Sequence, residues 1–149
     1  MIETERLILR PFVETDVEEV FEYLSEPLVN CFACMKLNTI DDAMMDTFSP
    51  CWMLNKDYHG KGYAYEAAYA FFEYLFSKKG ARRIYTYTED YNVSCQHLCE
   101  KLGMRREGMF MEFVSFINDS EGNPIYENTI QYAILKKEWD MMLAKRFFK

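Results

Sequence analysis

The stretch Trp52-Met-Leu-Asn-Lys-Asp-Tyr-His-Gly-Lys-Gly-Tyr-Ala-Tyr-Glu-Ala-Ala68 decides how the rest of the chain is read. It starts in a short apolar segment, Pro50 to Leu54, that reads as a buried strand. Tyr58-His59-Gly60-Lys61-Gly62 follows as a turn, because closely spaced glycines supply backbone conformations that other residues resist. From Ala64 the apolar positions are 64, 67, 68, 71, 72, 75 and 76. That i, i+3, i+4 series is the strongest helix signal in the sequence, and Gly80 closes it. A glycine-rich turn feeding a helix N-terminus gathers backbone N–H donors at the positive end of the helix dipole, where phosphate oxygens bind. Gly60 and Gly62 have no Cβ to hold an anion away, and Lys61 adds positive charge. The same spacing also suits an ordinary tight connection that needs glycine for positive φ. It is not a P-loop, which ends Gly-Lys-Ser/Thr, nor a dinucleotide fingerprint, which needs three glycines.

Upstream, Thr4 to Phe12 reads as one strand, with Leu7 and Leu9 alternating with Arg6, Ile8 and Arg10 until Pro11 stops it. Thr15-Asp16-Val17-Glu18 has the form of a capping box. Val17, Val20, Phe21 and Leu24 then predict a helix over 16–25, ended by Pro27. Residues 26–48 show no clean alternation, only a short helical patch near Asp41–Met45.

Downstream, Ile84, Thr86 and Thr88 alternate with Tyr85 and Tyr87, which predicts a strand over Arg83–Thr88. Asn92 suits an N-cap, Cys95, Leu98, Cys99 and Leu102 form a helical stripe, and Gly103 falls at C′. Met104–Ile117 and Ile125–Leu135 read as strands joined by the turn-rich loop Asn118–Pro124. Lys137–Phe148 reads as a terminal helix with Trp139, Met142, Leu143 and Phe147 on one side. Alternation of strands and helices in the middle of this order argues for a mixed sheet with helices on its faces.

The 149 residues make one domain, long enough to bury a core. Half are hydrophobic and 17% aromatic, which excludes wholesale disorder. A net charge of −7 argues against binding nucleic acid through its phosphates. The opening Met1-Ile2-Glu3-Thr4-Glu5-Arg6 runs into no long apolar region, so a signal peptide is not expected. The longest apolar run, Ala67–Phe72, is too short to span a bilayer. Five scattered cysteines, odd in number, favour a reducing cytoplasm. Cys31-Phe-Ala-Cys34 is a lone CxxC without a second pair, so no metal is expected.

Three segments, in order, resemble the GNAT N-acetyltransferase superfamily. The stretch from Trp52 to Ala68 resembles its acetyl-CoA signature, Arg/Gln-x-x-Gly-x-Gly/Ala, on His59, Gly62 and Ala64; His59 departs at the first position. Asn92-x-x-Cys95-x-x-x-x-Glu100-Lys-Leu-Gly-Met104 is similar to the family's Asn-x-x-Ser…Glu-Lys-Leu-Gly-Phe helix. Thr4-Glu-Arg-Leu-Ile-Leu-Arg-Pro11 is similar to the opening of the subgroup that acetylates ribosomal-protein N-termini.

The resemblance implies acetyl-CoA as co-substrate and a primary amine as acceptor: a protein N-terminus, an amino acid or a small amine. It implies that His59, Gly60, Lys61, Gly62, Tyr63 and Ala64 hold the pyrophosphate. The backbone of Met53, Leu54 and Asn55 would pair with the pantetheine arm, and the Leu54 N–H would meet the thioester oxygen. The amine attacks directly, without an acyl-enzyme, after losing a proton to a carboxylate. Glu89, Glu112 and Glu127 are the candidates for that base, each also readable as a solvated strand-face acid. Cys99 stands where relatives place a proton-donating tyrosine, and Cys95 where they place the serine of the Asn motif. Both cysteines also lie on the apolar stripe of their helix, where plain packing explains them. Asn92 reads as helix cap and as cofactor contact together.

The implied architecture is α+β: a GNAT-like mixed, mostly antiparallel sheet flanked by helices, in a single domain over 1–149, with 137–149 as terminal helix or tail. The family has a second helix and a strand hairpin before the glycine turn. Residues 25–48 barely hold these, and Met44-Met45-Asp46-Thr47 reads as an abrupt join. A segment near 44–46 is therefore expected to be missing, either deleted or disordered and left out; if it is deleted, a partner chain, as in a homodimer, would complete the sheet. Competing with the enzyme are a non-catalytic acyl-CoA-binding module and an interaction protein that docks through Trp139, Phe147 and Phe148.

Overall fold

The computed structural model describes residues 1–16 and 47–147. The helix expected over 16–25, the patch at 41–45, Cys31, Cys34, the join near 44–46 and Phe148 fall wholly or mostly outside them. The chain packs as two compact units; the described part of one comprises 1–16 and 52–80, and that of the other 47–51 and 81–147.

In the first unit, the expected strand over Thr4–Phe12 is instead a small hairpin. Strand β1 (Ile2–Glu3) runs antiparallel to β2 (Ile8–Leu9), with Ile2 opposite Leu9 and Glu3 opposite Ile8. The break comes from Thr4. Its N–H donates to Leu7 O at 2.9 Å, and its hydroxyl accepts the Leu7 N–H at 3.0 Å. Local side-chain bonding of this kind competes with an extended ladder. The alternation itself survives, since Leu7 and Leu9 are half-buried and Ile8 is 63% exposed. Arg10 then grips Asp16 with both guanidinium ends, at 2.6 and 2.7 Å, and holds that carboxyl down at about 2.

Helix α1 (Tyr63–Lys78) dominates this unit and ends before Gly80, whose φ is +69°. Ala68, Phe72, Leu75 and Phe76 are its buried positions, and the Trp52 ring lies 6.2 Å from that of Phe72. Of residues 63–76 only Glu73 is exposed, so the helix is covered on more sides than its apolar stripe implies.

The second unit is built on a four-stranded sheet in the order β3 (Thr47–Phe48), β4 (Arg83–Glu89), β6 (Pro124–Leu135), β5 (Arg105–Asn118). Strand β3 is parallel to β4, while β4–β6 and β6–β5 are antiparallel. Ile84, Thr86 and Thr88 of β4 are buried and Tyr85 and Tyr87 half-buried, as the alternation predicts. Helix α2 (Val93–Lys101) ends at Gly103, φ +82°, which donates its N–H to Glu100 O at 2.9 Å. Helix α3 (Lys136–Phe147) buries Trp139 to 1% exposure, which removes that residue from any exposed docking face.

The buried strand expected over Pro50–Leu54 is not formed. The ladder stops at Phe48, Cys51 is exposed, and Trp52 to Leu54 are half-buried in irregular backbone. Pro50 has no N–H to offer a ladder, and its carbonyl accepts the Thr86 hydroxyl at 3.2 Å instead. The fold is the mixed, mostly antiparallel α+β class expected, with three α-helices among the described residues.

Candidate functional site

In the first unit the candidate residues form one continuous segment. Asn55 opens a single 3-10 turn (Lys56–Tyr58), accepting the Asp57 N–H on Oδ1 at 3.0 Å. His59 folds back, and its Nε2 lies 2.9 Å from Leu54 O. A carbonyl only accepts, so this ring nitrogen carries the proton. The Leu54 carbonyl is thereby engaged within the segment. Gly60 and Gly62 have φ of +72° and +82°, and Lys61 between them sends Nζ to Asp57 O at 3.0 Å. The Lys61 ammonium also lies 5.5 Å from the centre of the Tyr58 ring.

Gly62 is the N-cap of α1 in the left-handed conformation, with no side-chain cap bond. The first helical bond runs from Glu66 N to Gly62 O at 3.1 Å. The N–H groups before it have no intrahelical acceptor, and glycine offers them none. This is the backbone pattern that receives an anion.

In the second unit, Glu89 ends β4 at 2% exposure. Burial pushes its carboxyl up; the Asn92 amide, donating to Oε2 at 3.3 Å, opposes that, and Glu127 adds to it. The other end of the Asn92 amide accepts the Cys95 N–H at 3.2 Å, so one side chain both caps α2 and steadies the buried acid. Gln96 secures the same corner by donating to Asp90 O at 2.9 Å. Tyr91 donates its hydroxyl to Glu127 at 3.0 Å, and burial together with that carboxylate pushes the phenol up.

Glu112 is exposed, in the left-handed region at φ +46° within an irregular part of β5. Its N–H reaches Asn128 Oδ1 at 2.9 Å, and Asn128 Nδ2 reaches Asp90 at 2.8 Å. Opposite Glu89 in the β4–β6 ladder stands Thr129, fully buried, whose hydroxyl has no hydrogen-bond partner.

Cys99 is fully buried and Cys95 half-buried. The hydrogen bond with Cys95 and burial push the Cys99 thiol far above its ordinary range. It keeps its proton and is poorly placed to give it to a leaving thiolate. Met53 to Asn55 and His59 to Ala64 thus lie together in one unit; Glu89, Asn92 and Cys95 lie together in the other, linked to Glu112 and Glu127 through Asn128 and Tyr91. Contacts of Thr4 and Arg6 with Glu66, across some sixty residues, had no signal in local pattern.

Residues 34–105 match the family model described as an acetyltransferase (GNAT) domain. The chain is 28% identical over 174 residues to the uncharacterized N-acetyltransferase YnaD of Bacillus subtilis strain 168, an alignment taking in 93% of this chain and 99% of that protein. An acetyltransferase of the GNAT family from Bacillus anthracis is 34% identical, with a TM-score of 0.56 over 62% of this chain and 52% of that one. The ribosomal-protein-S5-alanine acetyltransferase of Vibrio fischeri has a TM-score of 0.55 over 63% of this chain and 48% of its own, at 19% identity, which shows the fold alone. The chain spans about half the length of the solved structures it matches. Together these matches support the GNAT acetyltransferase domain family.

Proposed function

We propose that this protein is an acetyl-CoA-dependent N-acetyltransferase that moves an acetyl group to a primary amine by direct attack. The observation that carries this reading is the glycine turn: two glycines at positive φ lead into a 16-residue helix whose N-cap has no side-chain bond. The donor set fits a pyrophosphate, with the backbone N–H groups of residues 60–64 as donors and Lys61 as the nearby cation. Met53, Leu54 and Asn55 would take the pantetheine arm, and their irregular backbone leaves polar groups outside any ladder.

In the reaction the amine nitrogen attacks the thioester carbonyl carbon. The C–S bond breaks, the acetyl group passes to nitrogen, and the thiolate leaves. The amine's surplus proton goes to a carboxylate. Glu89 suits that part best, because burial raises its proton affinity and Asn92 fixes its orientation. Glu112, exposed on β5, is the weaker candidate. The thiolate takes its proton from solvent rather than from Cys99.

The acceptor is a protein N-terminus, an amino acid or a small amine. The opening Thr4–Pro11 motif and the Vibrio fischeri fold support the ribosomal-protein subgroup only distantly. A non-catalytic acyl-CoA-binding module is the second reading, favoured by the sealed, protonated Cys99 in the proton-donor position. A missing segment near 44–46 belongs to both readings. The 174-residue alignment, against a chain of 149, supports it.

Thermal unfolding with and without acetyl-CoA, with ATP as control, tests the first reading. At a hundred times Kd the cofactor adds about 2.7 kcal/mol, a shift of several degrees. A shift with acetyl-CoA but not ATP, followed by thiol release with an amine panel, supports the enzyme. Binding without release selects the second reading, and no shift sinks both.

A further inference from the structure

The opening motif Thr4-Glu-Arg has no part in the mechanism above, yet it makes the densest set of polar contacts around the glycine turn. Glu66, in the first turn of α1, accepts the Thr4 hydroxyl at 2.5 Å and the Arg6 backbone N–H at 2.9 Å. It also takes the Arg6 guanidinium at 2.6 Å. The free end of that guanidinium donates to the carbonyl of Lys61 at 3.0 Å and lies 4.8 Å from the centre of the Tyr63 ring. These bonds hold the Glu66 carboxyl below its ordinary value, the Thr4 hydroxyl contributing most.

The Lys61 carbonyl and the Gly62 N–H belong to one trans peptide, so they point in opposite directions. Fixing the carbonyl fixes the N–H. Lys61 sits between two glycines, which take either sign of φ at little cost, so this peptide can flip unless something holds it. We infer that Arg6, locked by Glu66, is a positioning residue: it pins the Lys61 carbonyl and thereby aims the Gly62 N–H for the phosphate of the cofactor. The inference rests on the acetyl-CoA reading above. Its content is geometric, because Glu66 already matches the charge of Arg6. The fork of the guanidinium is what matters, since it reaches Glu66 and Lys61 O together, and a lysine cannot bridge both in that geometry.

The test compares the full chain with Arg6→Lys and Glu66→Gln. Backbone 15N order parameters at Gly60, Lys61 and Gly62, measured without ligand, read the turn. Calorimetric Kd for acetyl-CoA and the separation of KM from kcat read its use. Arg6→Lys is expected to lower the Gly62 order parameter from the rigid range to below about 0.6 and to raise Kd and KM for acetyl-CoA about tenfold. The KM of the amine, and kcat at saturating acetyl-CoA, stay within about twofold. Glu66→Gln, which keeps the shape and the acceptor oxygen, gives the same pattern more weakly. A wild-type Kd in Arg6→Lys overturns the inference, because charge alone then suffices. Weakened binding with an unchanged Gly62 order parameter overturns it too, since Arg6 then acts without fixing the turn. If the wild-type chain binds no acetyl-CoA, the cofactor reading falls, and the order-parameter comparison alone decides whether Arg6 holds the peptide.

Discussion

Two helices in this molecule start in opposite ways, one after an irregular turn and one after a strand. At the head of α1 the cap is Gly62, left-handed and without a side chain. At the head of α2 the cap is Asn92, whose Oδ1 takes the Cys95 N–H. A helix capped by its own side chain has used a donor internally; one capped by glycine leaves its donors for something else. The carboxylates near the two helix starts differ in the same sense. Glu66 is ringed by donors and sits below its ordinary value, while burial outweighs the backbone N–H and Asn92 amide bonds to Glu89, which sits above its own. One helix start leaves backbone donors open; the other holds a carboxyl that keeps its proton more readily than usual.

Glu89→Gln breaks the second half of that comparison. Loss of a positioned general base lowers kcat/KM by about 100-fold in an amine-acetylation assay. Its stability carries the opposite sign. A raised folded value means that the folded state holds a proton which the unfolded chain gives up above the ordinary carboxylate value of 4.5. Wild-type stability therefore falls as pH rises from there through the raised value. The glutamine variant does not share that loss, so its Tm at pH 7 exceeds that of the wild type, and the gap closes near pH 4. An unchanged kcat/KM removes Glu89 from the mechanism.

Gly62→Val breaks the first half. A β-branched residue at φ +82° costs about 1–2 kcal/mol of backbone strain. A Cβ there would meet only the far end of Arg6, at 3.4 Å, so backbone strain rather than a clash sets the cost. Thermal stabilisation by acetyl-CoA is expected to disappear, and a full shift in the variant would mean that the turn does not bind it.

Asn92 sharpens the comparison at the smallest scale. Asn92→Ala loses the cap and costs about 1 kcal/mol, roughly 4 °C in Tm, while Asn92→Asp keeps the cap but sets a second carboxyl against Glu89 where the amide donated, so it recovers less than the cap's share. If Asn92 serves α2 and Glu89 rather than the cofactor, the Kd for acetyl-CoA moves less than twofold in both. A larger rise in Kd would restore the cofactor contact that its motif implies.

Periodicity was sufficient where an element's partners matter little to its form. The stripe from Ala64 to Phe76, the alternation through Arg83–Thr88 and the caps Asn92 and Gly103 are all local, set by helix and strand geometry and by the preferences of single residues. Local pattern failed where a non-local or competing bond intervened. Thr4 folded one expected strand into a hairpin, and Pro50 ended another before it began.

For the candidate site, the glycine turn and Asn92 were legible because their chemistry follows from residue type and spacing. The choice of Glu89 over Glu112 was not. As residues the two are alike; the difference lies in burial to 2% exposure against exposure on an irregular strand. The sequence by itself determined the α+β class, the turn and the capped helix, because those depend on dihedral preference over a few residues. Only the tertiary structure decided that Cys99 is sealed, that Glu89 is buried, and that Arg6 and Glu66 meet at the turn. Burial and contact at a separation of sixty residues are properties of packing, and the pattern along the chain does not encode them.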